Sequence, residues 1–286
     1  MHTPIFPNVK PFPKLMALLG MCVGMLLVAS GLTILIPLFG GDITDPTTLI
    51  LTQCVSQLLM FLVPVILFVL FYESDERGFL KLDFHWSSWS QALAAMAIML
   101  LFIPVIDVIT QWNDTWHFSE PLEGILREVT ERNQKLLESF FSQVGVGNLI
   151  LNILILAVVP AVCEELFFRS VVQQTMHKWF KNAHVAIFVT AILFSLAHGE
   201  IYAFVPRAII GVILGYLFYY SGSVVVNICA HFLNNALIVV LYFLYYREII
   251  GFSPDELPSM GWIWTIVFVL VAAFLFYVTI LRERKK

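Results

Sequence analysis

Two adjacent carboxylates, Glu164 and Glu165, sit inside an apolar stretch that reads Ile-Leu-Ala-Val-Val-Pro-Ala-Val-Cys-Glu-Glu-Leu-Phe-Phe-Arg and ends at Arg169. Two further polar groupings follow in apolar runs, Phe194-Ser-Leu-Ala-His198 and His231-Phe-Leu-Asn-Asn235. A charge at the centre of a membrane helix costs roughly 2.5–3.5 kcal/mol on insertion scales, so ionisable groups at that depth mark a site. On a helix Glu165 and Arg169 are four apart and share a face, which makes them the expected ion pair. Glu164 is rotated by about 100° and lacks that partner. A buried carboxylate without a counter-charge is a candidate general base. His231 and Asn235 are also four apart, and Asn227 extends the same stripe, with Asn234 turned off it. His198 closes its run with Phe194 one turn behind. One base, two imidazoles and an amide therefore come from three helices. A lone His or Asn in a membrane helix is more often interhelical glue, and a lone Glu–Arg pair is often only structural. His2, His85, His117, His177 and His184 carry no such context and read as bland. The joint occurrence of the three groupings is what points to chemistry.

The elements that carry these residues belong to a membrane. Apolar residues make up 59% of the chain and charged ones 13%, against about a quarter charged in soluble domains. The formal net charge of −4 suggests no nucleic-acid partner. The first apolar run, about Met16 to Leu38, is long enough to span a bilayer and too long for a signal peptide, so it is expected to remain. Cys22, Cys54, Cys163 and Cys229 lie in apolar segments without CxxC spacing and read as small buried hydrophobes.

Runs long enough to span recur near 15–38, 48–72, 89–111, 148–178, 183–199, 203–220, 223–247 and 261–281. The expected fold is an all-α polytopic bundle of about eight transmembrane helices. Lys10, Lys14, Arg77, Lys81, Lys178, Lys181 and the tail Arg282, Arg284, Lys285 and Lys286 place both termini on the cytoplasmic side. The chain reads as one membrane domain over 1–286. Within it are an N-terminal three-helix part (1–111), an amphipathic extramembrane segment (112–147), a core with the chemistry (148–247), and a last helix with a basic tail (248–286). In the amphipathic segment Leu122, Ile125, Leu126, Val129, Leu136, Leu137 and Phe140 keep helical spacing. Glu123–Arg127, Glu128–Arg132 and Glu131–Lys135 pair four apart, acid first. That segment is a solvated connector or an interfacial helix at the entrance to the site. Gly211 and Gly215 form a GxxxG that permits close helix contact. Pro160, four residues before Glu164, removes a backbone donor and is expected to disturb its helix.

Glu-Glu-x-x-x-Arg, then Phe-x-x-x-His, then His-x-x-x-Asn, in that order on successive membrane helices, resembles the CPBP family. These are the CAAX-protease and bacteriocin-processing proteins, also called the Abi family, related to the Rce1-type CAAX prenyl endopeptidases. The resemblance covers roughly Asn148 to Tyr246. It implies an intramembrane endopeptidase that acts on membrane-associated protein or peptide substrates in the lipid bilayer, with a bacterial cytoplasmic membrane as the expected location. It implies Glu164 as catalytic glutamate and His198 as its partner in activating water. His231 and Asn235 would polarise the scissile carbonyl and hold the oxyanion. Glu165, Arg169 and Phe194 would support the geometry. Glu164, His198 and His231 also make a plausible His₂Glu zinc set with one open position. The residues themselves leave a Zn²⁺ mechanism and a metal-free glutamate mechanism equally open. No HExxH, GxSxG-like or GxGD motif points to another protease chemistry. Two readings compete: an idle scaffold or immunity protein on the same fold, and an ion or solute transporter using the Glu/His/Asn cluster. One mismatch stands out. His198 falls near the outer end of its helix and Glu164 near mid-depth of its own, so they meet only if the helix carrying His198 is short, tilted or displaced.

Overall fold

The computed structural model describes residues 3–43, 45–85, 88–141, 145–254 and 261–281. His2 and the basic tail residues Arg282, Arg284, Lys285 and Lys286, used above, lie outside the described residues. Among the described residues the regular structure is helical throughout. Nine principal helices follow in chain order: α1 (Pro11–Phe39), α2 (Pro46–Tyr72), α3 (Ser88–Asp114), α4 (Leu122–Phe141), α5 (Val146–Phe180), α6 (Ala183–Leu196), α7 (Ile201–Ser221), α8 (Val224–Tyr246) and α9 (Trp262–Leu281). Seven of them, all but α4 and α6, are long and apolar enough to cross a bilayer. The protein is an all-α, multi-pass integral membrane protein.

One of the eight expected spans is different in kind. The run expected over 183–199 is a helix of only 14 residues. At 1.5 Å per residue it reaches about 21 Å, short of the roughly 30 Å hydrocarbon core. Its ends are set locally. The Asn182 side chain accepts from the backbone N–H groups of His184 and Val185. At the other end His198 N–H donates to Ser195 O and Gly199 N–H to Leu196 O, and Gly199 has φ +68°. A glycine there suits the left-handed turn that stops a helix.

This short helix resolves the depth mismatch. Glu164 lies at most about 24 Å along α5 from its end at Phe180, since the wider π-helical turns between them rise less than the α-helical 1.5 Å per residue. The chain turns, and α6 runs back by nearly the same distance before it stops at His198. The two side chains thus reach a common level in the bundle.

Two of the prolines act through widened turns. The turn Leu58–Leu62 is π-helical just before Pro64, and Leu154–Val158 is π-helical just before Pro160. A proline ring clashes with the carbonyl four residues earlier and offers no N–H; a π-bulge relieves both. A third π-helical stretch, Glu165–Gln173, contains no proline and carries the ion pair.

Packing follows the small residues. A Cβ on Gly211 would meet Ala191 Cα at 3.0 Å, and one on Gly215 would meet Ile187 Cγ2 at 2.8 Å. These glycines let α7 lie directly against α6, as the GxxxG spacing implied. At one end of the bundle Lys14 pairs with Glu73 (2.7 Å), Phe12 touches Trp179, and Val224 N–H donates to Lys81 O. The loops 73–85 and 178–182, which carry Arg77, Lys81, Lys178 and Lys181, and the uncharged turn 221–223 gather there. At the opposite end Asn113, fully buried, receives Val205 N–H and donates to Ile201 O, tying α3 to the start of α7.

The amphipathic segment is the helix α4, at that opposite end. Its C-terminal Phe140 and Phe141 bury against Ile50, Ile155, Tyr242 and Phe243. Its start docks beside Tyr202: Glu123 pairs with Arg127, whose guanidinium sits 5.7 Å from the Tyr202 ring. Of the three pairs expected from spacing, only Glu123–Arg127 forms among the described residues. Phe118 N–H donates to Glu123 (2.8 Å). That bond, with Arg127 beside it, holds the Glu123 carboxyl below its ordinary value. Leu122 and Ile125 remain 44% and 57% exposed, so the apolar stripe is only partly covered.

Candidate active site

Glu165 is the hub of the site. It is wholly buried in the π-helical part of α5, where nine consecutive residues, including Arg169, are buried. Its Oε2 lies 3.2 Å from Arg169 Nε and accepts from Asn227 Nδ2 at 3.1 Å. Its Oε1 accepts from His231 Nδ1 at 2.9 Å. In a π-helix, as in an α-helix, residues four apart stay close to one face, so the i,i+4 ion pair survives the change of pitch. Arg169 is also fully buried and its guanidinium lies 5.0 Å from the Phe194 ring. The contact with Glu165 is an ion pair by distance, and the guanidinium nitrogens make no geometrically good hydrogen bond. Carboxylate and aromatic face together compensate its burial.

Asn227 and His231 approach from α8, one turn apart as their spacing required. Asn227 also donates to Leu214 O of α7 at 2.7 Å, which fixes its amide. With Nδ1–H given to Glu165, the other ring nitrogen of His231 points at the second glutamate: Nε2 is 4.0 Å from Glu164 Oε2. An imidazole held this way presents one defined nitrogen to the reaction space.

Glu164 is buried at 3% exposure. Among the described residues it has no cation within ion-pair distance apart from what His231 would supply if protonated. Its Oε1 lies 3.4 Å from Gln57 Nε2 of α2. Gln57 is a site residue that the sequence reading missed. The available signal was an amide within an otherwise apolar span, a feature that intramembrane polar groups share.

His198 stands at the end of α6, exposed where Glu164 and His231 are buried. Its Nδ1 bonds Phe194 O at 2.8 Å, so Nε2 is the nitrogen left to act. The Phe194 ring lies between the two imidazoles, 4.9 Å from His198 and 5.9 Å from His231 by ring centroids. His198 makes no direct contact with Glu164, yet the two are close enough to feel each other's charge. Such a gap suits a bridging water. Asn235 lies one turn along α8 from His231 and accepts from Asn234 Nδ2 at 3.3 Å. Among the described residues it makes no hydrogen bond with either glutamate.

Seven sequence-derived residues are thus divided. Glu164, Glu165, Arg169, Phe194 and His231 form one contiguous cluster. His198 borders it through Phe194, and Asn235 stands further along its helix. Among the described residues no three His, Cys, Asp or Glu side chains are gathered closely enough to hold a metal ion. Glu164, His198 and His231, the set that the residue types suggested for zinc, are not gathered into such a group in this arrangement.

Fold and site define a polytopic helical membrane protein with a buried carboxylate pair aligned on an imidazole. Residues 146–237, from the start of α5 to beyond the middle of α8, match the family model of the Rce1-like type II CAAX prenyl endopeptidases. That match covers every motif position, and over this stretch the chain is similar to the CAAX-protease (CPBP) family of membrane endopeptidases, which supports that assignment. Neither curated proteins nor solved structures gave a match.

Proposed function

We propose that this protein is an endopeptidase that cleaves membrane-associated protein or peptide substrates at a site within the bilayer. One observation carries the reading. Of two adjacent glutamates, Glu165 is bound to Arg169, Asn227 and His231, while Glu164 faces His231 Nε2 with only an amide, Gln57, as neighbour. The first is structural and the second is free to take a proton.

Water held between Glu164 and His198 Nε2 loses a proton to Glu164 as it attacks the scissile carbonyl. The developing oxyanion is held by His231 and Asn235. That role requires His231 to carry a proton on Nε2 as well as Nδ1, because a neutral ring that donates through Nδ1 can only accept at Nε2. Protonated Glu164 then returns its proton to the leaving amine, so acid and base are the same group. The metal-free route is the one this donor arrangement supports. Both termini are cytoplasmic in this reading, which rests on the basic residues gathered at one end of the bundle.

Glu164→Gln keeps shape and hydrogen bonding but removes the base. In a purified cleavage assay with a membrane-associated peptide it should lose about 10²–10⁴ in rate while the protein still folds and inserts. His231→Ala and Asn235→Ala should each cost on the order of 10²–10³ as oxyanion donors. Full activity of Glu164→Gln would refute the mechanism. Absence of any cleaved terminus that depends on Glu164, in membrane-fraction proteomics, would favour a scaffold.

A further inference from the structure

A cavity of about 220 Å³ opens at the basic end of the bundle, away from the glutamates. One water needs only about 10–15 Å³ measured this way, so the space accepts a group of many atoms. Gln173 and His177 of α5, Tyr219 of α7, Gly222 and Lys81 contribute to its walls.

Three observations define what fits. The first is depth. Trp179, Tyr216, Tyr219 and Tyr220 lie on the helix turns around the cavity, and Lys81, Lys178 and Lys181 stand in the adjoining loops. Tyr, Trp and Lys together mark headgroup level in membrane proteins. The second is charge. The nearby acids are engaged: Glu73 by Lys14 at 2.7 Å, Asp83 by Arg77 at 2.9 Å, and Asp75 as the cap of the turn Glu76–Leu80. Lys81 makes no ion pair among the described residues, and it faces the cavity with the His177 imidazole. The third is an open acceptor. Gln173 is 4% exposed; its Nε2 donates to Gly215 O at 3.0 Å, and its Oε1 lacks a partner among the described residues. A buried acceptor left unmatched is unfavourable, and a ligand hydroxyl would satisfy it.

We propose that this cavity binds the phosphodiester headgroup of an anionic, hydroxyl-bearing lipid. Lys81 and His177 hold the phosphate, and Gln173 Oε1 accepts the headgroup hydroxyl. Because Gln173 is also bonded to Gly215, an occupied site ties α5 to α7 and to the loop that carries Lys81. The lipid is thus a stabilising ligand of the bundle. This proposal does not depend on the proteolytic reading, and binding can be measured in the Glu164→Gln protein.

The test uses full-length protein, delipidated in a non-ionic detergent. Thermal unfolding is followed as a function of added phosphatidylglycerol, phosphatidylmethanol and phosphatidylcholine of equal chain length, and of glycerol 3-phosphate in solution. Phosphatidylglycerol should raise the midpoint. Phosphatidylmethanol, equally charged but without the hydroxyl, should do so at higher concentration, and phosphatidylcholine should not. Lys81→Asn is suitable because Asn tolerates the left-handed backbone at this position, φ +58°. It should raise the half-saturating phosphatidylglycerol concentration about fivefold. His177→Gln combined with it should raise it further, and Lys178→Ala, outside the lining, should change it little. A phosphatidylglycerol effect equal in wild type and the double variant overturns the site. An equal effect of glycerol 3-phosphate overturns the lipid as its source.

Discussion

Glu165→Gln should destabilise the protein more than any other single substitution in the site. The carboxylate serves three partners with two oxygens: Oε1 takes His231 Nδ1–H, while Oε2 takes Asn227 Nδ2–H and faces Arg169 Nε. A glutamine has one acceptor oxygen. Whichever way its amide turns, its NH₂ points at a donor, either at His231 or at Asn227 and Arg169. Arg169, wholly buried, keeps its charge and loses its counter-ion. Breaking a buried pair from one side costs about 3–5 kcal/mol. At about 2–4 °C per kcal/mol for a domain of this size, the midpoint should fall by roughly 6–20 °C. A mixed-sign control separates the charge from the packing. Glu165→Leu with Arg169→Met removes both charges and should lose less than Glu165→Gln alone, since paired replacement by apolar groups is often close to neutral. The assays are thermal unfolding in detergent and peptide cleavage on the same preparations. The double variant should recover stability without recovering activity, because His231 still lacks its orienting carboxylate. A Glu165→Gln midpoint within a degree of wild type, or a double variant less stable than the single, would refute this account of the hub.

Other outcomes follow from the same geometry. Cleavage should persist after exhaustive chelation, and loss restored by zinc would replace the glutamate mechanism with a metal one. Charged residues at Leu122 and Ile125, the exposed part of the α4 stripe, should slow cleavage of a membrane substrate but not of a short soluble peptide, with expression unchanged; equal rates on both would make α4 a connector only. The docking of α4 through Glu123 should be complete above the ordinary value of 4.5 and fade as pH falls below it, since the folded carboxyl titrates lower; limited proteolysis between α3 and α5 at pH 7 and pH 3 would show the change. Reporter fusions at the N-terminus, in the loop at Asp42 and after Lys286 should place both termini inside and Asp42 outside, and an external C-terminus would break that orientation.

Much of this was legible in the residues alone. Hydropathy and the scarcity of charge determined a multi-pass helical protein, because a bilayer leaves the backbone few ways to satisfy its polar groups. The i,i+4 spacings determined that Glu165 with Arg169, and Asn227 with His231, would share faces, since those relations are local and survive even the π-helical pitch of α5. Which helix faced which was not local. Spacing put His231 on one face with Asn227 and Asn235, but that its Nδ1 meets Glu165 and its Nε2 faces Glu164 was set by the fold. Gln57 reached the site from the second helix, more than a hundred residues away along the chain. The level of His198 was decided by where α6 stops. A run of apolar residues looks the same whether its helix fills the hydrocarbon core or stops short of its full thickness, and only the packing of α6 on α5 and α7 sets the level of that end. Residue type and spacing determined which groups could do chemistry; the tertiary structure decided which of them meet, because relative helix depth and rotation come from contacts between segments that no local pattern encodes.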